Sequence, residues 1–139
     1  MTDKLPLENM NVLVTGGGSG IGLACAASFY RDGANVTLMG RSEQRLAEAR
    51  AALEAIDVPG KVSIVSGDVA NETDVEQAVD SARLGGSLDI LVASAGRGAL
   101  SPVTATDAGE WNDVLATNLN GTFYSFKHAA RNMPNGGAM

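Results

Sequence analysis

Residues Thr15 to Gly22 read Thr-Gly-Gly-Gly-Ser-Gly-Ile-Gly, with glycine in five of the eight positions. The cluster follows directly on the apolar run Asn11-Val-Leu-Val14. It leads straight into Ile21-Gly-Leu-Ala-Cys-Ala-Ala-Ser-Phe-Tyr30, which is too apolar for a linker. Glycine-rich segments in polar surroundings are flexible spacers. Wedged between a strand-like run and a helix-like run, this one must be a tight turn where something approaches the backbone closely. The chain is thereby limited to folds in which a first strand feeds a helix through that turn.

The same alternation continues to the C-terminus. Strands are expected at Asn11–Thr15, Asn35–Met39, Lys61–Ser66 and Leu88–Ser94. All are near-continuous Val/Ile/Leu runs, as parallel strands covered on both faces require. Between them Ile21–Arg31 reads as a helix stopped at Gly33. Ser42 can cap a second helix, with Glu43 in its first turn, Leu46, Ala49, Leu53 and Ile56 on one face, and Pro59-Gly60 closing the segment. Asn71 can cap a third, carrying Val75, Ala78, Val79 and Ala82 ahead of Gly85-Gly86. Asp107-Ala-Gly-Glu110 has capping-box spacing and opens a long helix to about Arg131, with Gly121 inside it. The pattern βαβαβαβα predicts an α/β fold: a doubly wound parallel sheet, Rossmann-like, in three α/β/α layers. One domain spans residues 1–139. Such sheets bind ligands beyond the carboxyl ends of their strands, where the strand order reverses.

Composition narrows the partners. A net charge of −6 leaves no basic stripe for nucleic acid or an anionic membrane. The single cysteine, Cys25, allows no internal disulfide and no cysteine-rich metal site, and it reads as a packing thiol. No stretch is long and apolar enough for a membrane span, and Met1–Glu8 lacks a signal-peptide core. A reducing, cytoplasmic setting is expected, with no metal.

Gly16, Gly20 and Gly22 fall where the first strand turns into the first helix, spaced Gly-x-x-x-Gly-x-Gly. Backbone without Cβ atoms can turn tightly there and let a pyrophosphate reach main-chain N–H groups, helped by the positive end of the helix dipole. The last glycine lets the helix pack close to the strand. Ser19 and Ile21 belong to the same turn. No Lys-Ser/Thr pair follows, which excludes a P-loop for nucleoside triphosphates.

Thr15-Gly-Gly-Gly-Ser-Gly-Ile-Gly22 resembles the cofactor signature of the short-chain dehydrogenase/reductase family. Gly67-Asp68-Val69 is similar to that family's adenine-contacting Asp-Val. Leu91-Val-Ala-Ser-Ala-Gly96 resembles its Asn-Asn-Ala-Gly motif, though Ala93 and Ser94 stand in place of the asparagines. The hydrogen bonds that steady this loop must then come from elsewhere or be missing. Trp111 followed by Asn118-Leu-Asn-Gly121 is similar to its Trp…Asn-Leu-x-Gly helix. The resemblance covers essentially the whole chain. It implies an oxidoreductase moving hydride between a nicotinamide dinucleotide and an alcohol or carbonyl substrate. It also implies cofactor contacts from Asp68, Val69, Ala95, Gly96 and Asn118, a catalytic role for Asn118, and a homo-oligomer in the complete protein.

Dinucleotide folds tell a ribose 2′-hydroxyl from a 2′-phosphate just after the second strand. Here the chain reads Met39-Gly40-Arg41-Ser42, with no acid at the turn. Arg41 offers a charged fork suited to phosphate, and Ser42 offers a hydroxyl at a helix N-terminus. NADP(H) is favoured over NAD(H).

By the same resemblance, hydride transfer needs Ser, Tyr and Lys beside Asn, the Lys lowering the pKa of the Tyr that moves the proton. The Tyr-x-x-x-Lys pair is missing from these 139 residues. Tyr124 and Lys127 are three apart and read as a packing ring and a surface charge, and His128 as structural. Asn135-Gly-Gly-Ala-Met139 resembles the turn into the family's fifth strand. The chain is therefore expected to be a fragment or truncated gene product, incomplete at the C-terminus and inactive alone. The alternative is a non-catalytic nucleotide- or partner-binding module. A methyltransferase also has a glycine-rich loop after its first strand, but the missing acid after the second strand and the Asn118 motif speak against it.

Overall fold

The computed structural model describes residues 4–139. Strands β1 (Asn11–Thr15), β2 (Asn35–Gly40), β3 (Val62–Ser66) and β4 (Ile90–Ala93) alternate with helices α1 (Gly20–Arg31), α2 (Glu43–Glu54), α3 (Glu72–Ala82), α4 (Ala108–Leu115) and α5 (Gly121–Arg131). The strands form one four-stranded sheet in the order β3-β2-β1-β4, every pair parallel. The chain winds outward from β1 to β3 and then crosses back to place β4 on the other side of β1. The doubly wound parallel sheet expected from the sequence is the one observed.

Period-two alternation divides the apolar residues between two cores. Val12 and Val14 of β1 face α1 and α2, where they join Ala26, Tyr30, Leu46, Ala49 and Leu53. Leu13 faces the opposite side, with Val75, Ala78 and Val79 of α3 and Ala129 of α5. Both faces of the sheet are covered, which is why its strands carry continuous apolar runs. Ser42, Asn71 and Asp107 cap α2, α3 and α4 as their positions predict, accepting from the N–H groups of Arg45, Thr73 and Glu110.

Single-residue shifts occur at the start of α1 (Gly20), the end of β2 (Gly40) and the start of β3 (Val62), and two elements differ by more. β4 is shorter than Leu88–Ser94, because the Ser94 N–H turns back to the Val92 carbonyl (3.2 Å) and ends the strand. The long C-terminal helix is interrupted by a π-helical turn over Ala116–Asn120. Gly121 lies at its end, where a Cβ would stand 2.7 Å from Val69 Cγ2. That glycine is the seat on which the helix rests against the segment after β3. Among the described residues no helix is long and apolar enough to cross a membrane.

α3 and α5 are tied by charge as well as by packing. Glu72 Oε1 accepts from Lys127 Nζ (2.5 Å) and meets His128 Nε2 at 2.9 Å. Lys127 is thus an interhelical ion-pair partner, not the plain surface charge its sequence position suggests. His128 is buried and does pack between helices. The hydrogen bond from Lys127, then the one from His128, holds the Glu72 carboxyl below its ordinary pKa. A lowered carboxylate pKa stabilises the fold at pH above the unfolded value, and that contribution is lost as pH falls through the folded one. The stability gap between wild type and Glu72→Gln should therefore be present above the carboxylate range and shrink below about pH 4. Denaturant midpoints measured across pH check this, and a gap indifferent to pH would mean that the tie is not electrostatic.

Candidate functional site

The carboxyl ends of all the strands open onto one cleft of about 200 Å³, on the side predicted for ligands in such sheets. Gly16, Gly18 and Ser19 line it from the turn after β1; Met39, Gly40, Arg41, Ser42, Arg45 and Leu46 from the end of β2 and the start of α2. Gly67, Asp68 and Val69 follow β3, Ala95 and Gly96 follow β4, and Thr117 comes from the π-turn.

The first turn explains its glycines. Gly16 has φ +64°, and a Cβ there would stand 2.8 Å from Ala95 Cα and 2.9 Å from Ala95 N. A Cβ on Gly22 would lie 2.3 Å from the Gly16 carbonyl oxygen, so α1 presses directly on the turn. The Gly17 N–H donates to the Met39 carbonyl (3.1 Å), and the Ala95 N–H donates to Thr15 Oγ1 (3.2 Å). The loops after β1, β2 and β4 are thereby stitched together at the cleft.

α1 begins differently from its capped neighbours. Ser19 stands at its N-cap with an extended backbone, yet its side chain makes no capping bond. Leu23 is the first residue whose N–H finds an acceptor, the Ser19 carbonyl at 3.2 Å. The N–H groups of Gly20, Ile21 and Gly22 are the open donors at this helix end. Gly20, Ile21 and Gly22 are not among the residues lining the cleft, and the Ile21 side chain is 79 % exposed. Their contribution to a ligand would be main-chain donors and dipole rather than side-chain surface.

Across the cleft, Arg41 and Ser42 are exposed at the end of β2. Ser42 Oγ accepts from the Arg45 N–H (3.3 Å), which leaves its own hydroxyl hydrogen free to donate. Asp68 is locked in place: Oδ1 accepts from the Ala70 N–H (3.0 Å), and its own N–H donates to Asp74 Oδ2 (2.9 Å). Val69 beside it is buried beneath Gly121.

Asn118 lies behind the cleft rather than on its lining. Its Oδ1 accepts from the Arg97 N–H (2.9 Å), while its Nδ2 donates to the Arg97 carbonyl (2.8 Å). The amide is used at both ends as a clamp on the loop after β4. Arg97 adds an ion pair to Asp113 (3.4 Å). Thr15 and Asn118 thus hold a loop in which Ala93 and Ser94 cannot use side-chain amides. Gly18, Met39, Gly40, Arg45, Leu46, Gly67 and Thr117 complete the cleft without having been expected there. Arg45 and Leu46 sit one turn into α2 from the Ser42 cap, and Thr117 precedes Asn118. Those spacings were the available signals.

The arrangement offers a glycine-rich turn, with the open helix start behind it, on one side of the cleft and arginines on the other. It suits an elongated anion. The family model for short chain dehydrogenases matches residues 10–138. A 2-(S)-hydroxypropyl-CoM dehydrogenase of Xanthobacter autotrophicus is 40% identical over 129 residues, covering 91% of this chain and 49% of that protein. The solved structure of a short-chain type dehydrogenase/reductase from Mycobacterium ulcerans superposes with a TM-score of 0.87 at 38% identity, over 91% of this chain and 47% of that one. An L-sorbose reductase from Gluconobacter frateurii, solved with NADPH and L-sorbose, superposes with a TM-score of 0.84 at 30% identity, over 94% of this chain and 49% of that one. The chain spans about half the length of the curated relatives it matches. A match that runs almost from end to end leaves little of the sequence outside it, and the chain belongs to the short-chain dehydrogenase family.

Proposed function

We propose that this chain supplies the dinucleotide-binding part of an NADP(H)-preferring oxidoreductase acting on an alcohol or carbonyl substrate. The observation that carries the reading is the pairing, in one cleft, of the glycine-rich turn at Gly16, Gly18 and Ser19, which leads into the uncapped start of α1, with Arg41 and Ser42 opposite it. The residues fit a dinucleotide. Gly16 and Gly22 keep side-chain atoms out of the turn, and the N–H groups of Gly20, Ile21 and Gly22 can receive a pyrophosphate. Asp68 and Val69 stand after β3 for an adenine, and Ala95 and Gly96 present backbone from the β4 loop. When bound, the nicotinamide ring would supply the hydride acceptor or donor.

This chain's residues bind, orient and brace. Asn118 holds the β4 loop through Arg97, fixing the cleft wall that Ala95 and Gly96 form. Arg41 meets a 2′-phosphate with a planar, permanently charged fork, and no carboxylate at the end of β2 repels it. The NADPH bound to the L-sorbose reductase, which shares this fold, supports the preference.

Arg41→Asp should therefore weaken NADP(H) far more than NAD(H). A charge-assisted contact contributes roughly 1.5–3 kcal/mol, so the preference should move by about ten-fold or more. Calorimetric titration of both cofactors checks it, and equal losses for the two would remove the assignment.

A further inference from the structure

We infer that Arg45 is a second cation for the same 2′-phosphate, reaching it from the first turn of α2 across Gly18; this rests on the NADP(H) reading above. Arg45 lines the cleft together with Arg41 and Ser42. A Cβ built on Gly18 would meet Arg45 Cβ at 3.5 Å and Leu46 Cδ2 at 3.6 Å. The first turn of α2 therefore lies directly against the glycine-rich turn. Buried Leu46 forms the floor between them, and Arg45 the rim. Its backbone is fixed there by the N–H bond to Ser42 Oγ.

The charges around it leave Arg45 free for an external anion. Among the described residues, Arg50, Arg83 and Arg97 each pair with a carboxylate, on Glu54, Asp80 and Asp113. Arg41 and Arg45 pair with none. Glu48, one turn beyond Arg45 on the same helix, is instead engaged by Gln44 (3.0 Å). The glycine-rich turn itself contributes no cation, since Thr15–Gly22 contains no lysine or arginine. Among the described residues Asp68 is the one carboxylate lining the cleft; it follows β3 and accepts from the Ala70 N–H. A phosphomonoester near neutral pH carries close to two negative charges. One guanidinium leaves much of that charge unmatched, whereas two forks and the Ser42 hydroxyl can satisfy its oxygens together.

Arg45→Gln should weaken adenosine 2′,5′-bisphosphate by about ten-fold while leaving ADP within about two-fold. Arg45→Lys should recover part of the loss, as a point charge without the fork. Calorimetry on the chain and both variants, with thermal melts to show that each is folded, gives the answer. Wild type holding the bisphosphate no tighter than ADP would overturn the NADP(H) reading and this inference with it. A wild-type preference that survives Arg45→Gln, or a loss shared equally by both ligands, would overturn the role of Arg45 alone. An equal loss would point to packing on the adenine instead.

Discussion

Valine at position 20 should abolish dinucleotide binding in a chain that still folds, whereas alanine at position 22 should damage the fold itself. Gly20 has φ +55°, and a Cβ there would meet nothing within 4 Å. The space in front of it is open, so a side chain would stand before the open N–H groups of the helix end, where a pyrophosphate would have to approach. A β-branched residue also resists positive φ, at a cost of roughly 1–3 kcal/mol. That is tolerable against a typical domain stability of about 5–15 kcal/mol. Gly22 differs because its Cβ would come within 2.3 Å of the Gly16 carbonyl oxygen, and neither backbone can yield without separating α1 from β1. Extra methylenes in a core already cost about 1–3 kcal/mol. Here the clash is with a backbone oxygen, so the displacement of α1 from the turn adds to that cost, as it does not at Gly20. Calorimetry for Gly20→Val and chemical unfolding for Gly22→Ala separate the two effects. Undiminished dinucleotide binding by a folded Gly20→Val chain would show that the turn is not the site.

The sheet and its order of elements could be read from the residues because the central strands β1 and β2 are buried almost throughout, so burial writes them as apolar runs, while the half-buried outer strands β3 and β4 keep enough Val, Ile and Leu to be seen. Helix starts were equally legible at Ser42, Asn71 and Asp107, where a single side chain performs the capping. The π-turn over Ala116–Asn120 was not legible, since one extra residue per turn leaves no mark on an apolar pattern of period 3.6. Gly121 was visible as an anomaly, but the reason for it, Val69, lies fifty-two positions away in sequence and touches it only in the fold. Separations of 55 and 56 positions likewise hid the partner of Lys127 and His128, because Glu72 reads locally as an ordinary first-turn acid of α3. In the cleft, residues placed by their strand ends were found where expected, as with Gly16, Arg41, Asp68 and Ala95. Arg45 was missed because a helix surface position says nothing about which loop it will face.

By itself the 139-residue chain should self-associate and should not oxidise NADPH. Beyond β4 the described residues offer only an isolated bridge. The Leu91 N–H donates to the Ala138 carbonyl (2.9 Å), and the Ala138 N–H to the Asp89 carbonyl (3.0 Å). Past that bridge Val92 and Ala93 present an unpaired strand edge, next to a groove lined by Phe29, Phe126 and Met139. An apolar strand edge beside exposed apolar side chains invites pairing with another chain. Turnover is expected to fail for a separate reason: hydride transfer to a carbonyl needs a proton donor at the site, and among the described residues the tyrosines, His128 and Asn118 are all engaged elsewhere. Tyr30 is buried far from the cleft, donates to the Gly60 carbonyl (3.2 Å), and has its pKa raised by that burial. Tyr124 packs against the second core, and His128 is held by Glu72. Asn118 cannot release a proton near neutrality, and both ends of its amide are committed to Arg97. Light scattering on the purified chain, with an NADPH-oxidation assay over a panel of aldehydes and ketones, tests both halves. A stable monomer would show that the β4 edge is protected after all, and oxidation above background would show that a proton donor inside these residues has been overlooked.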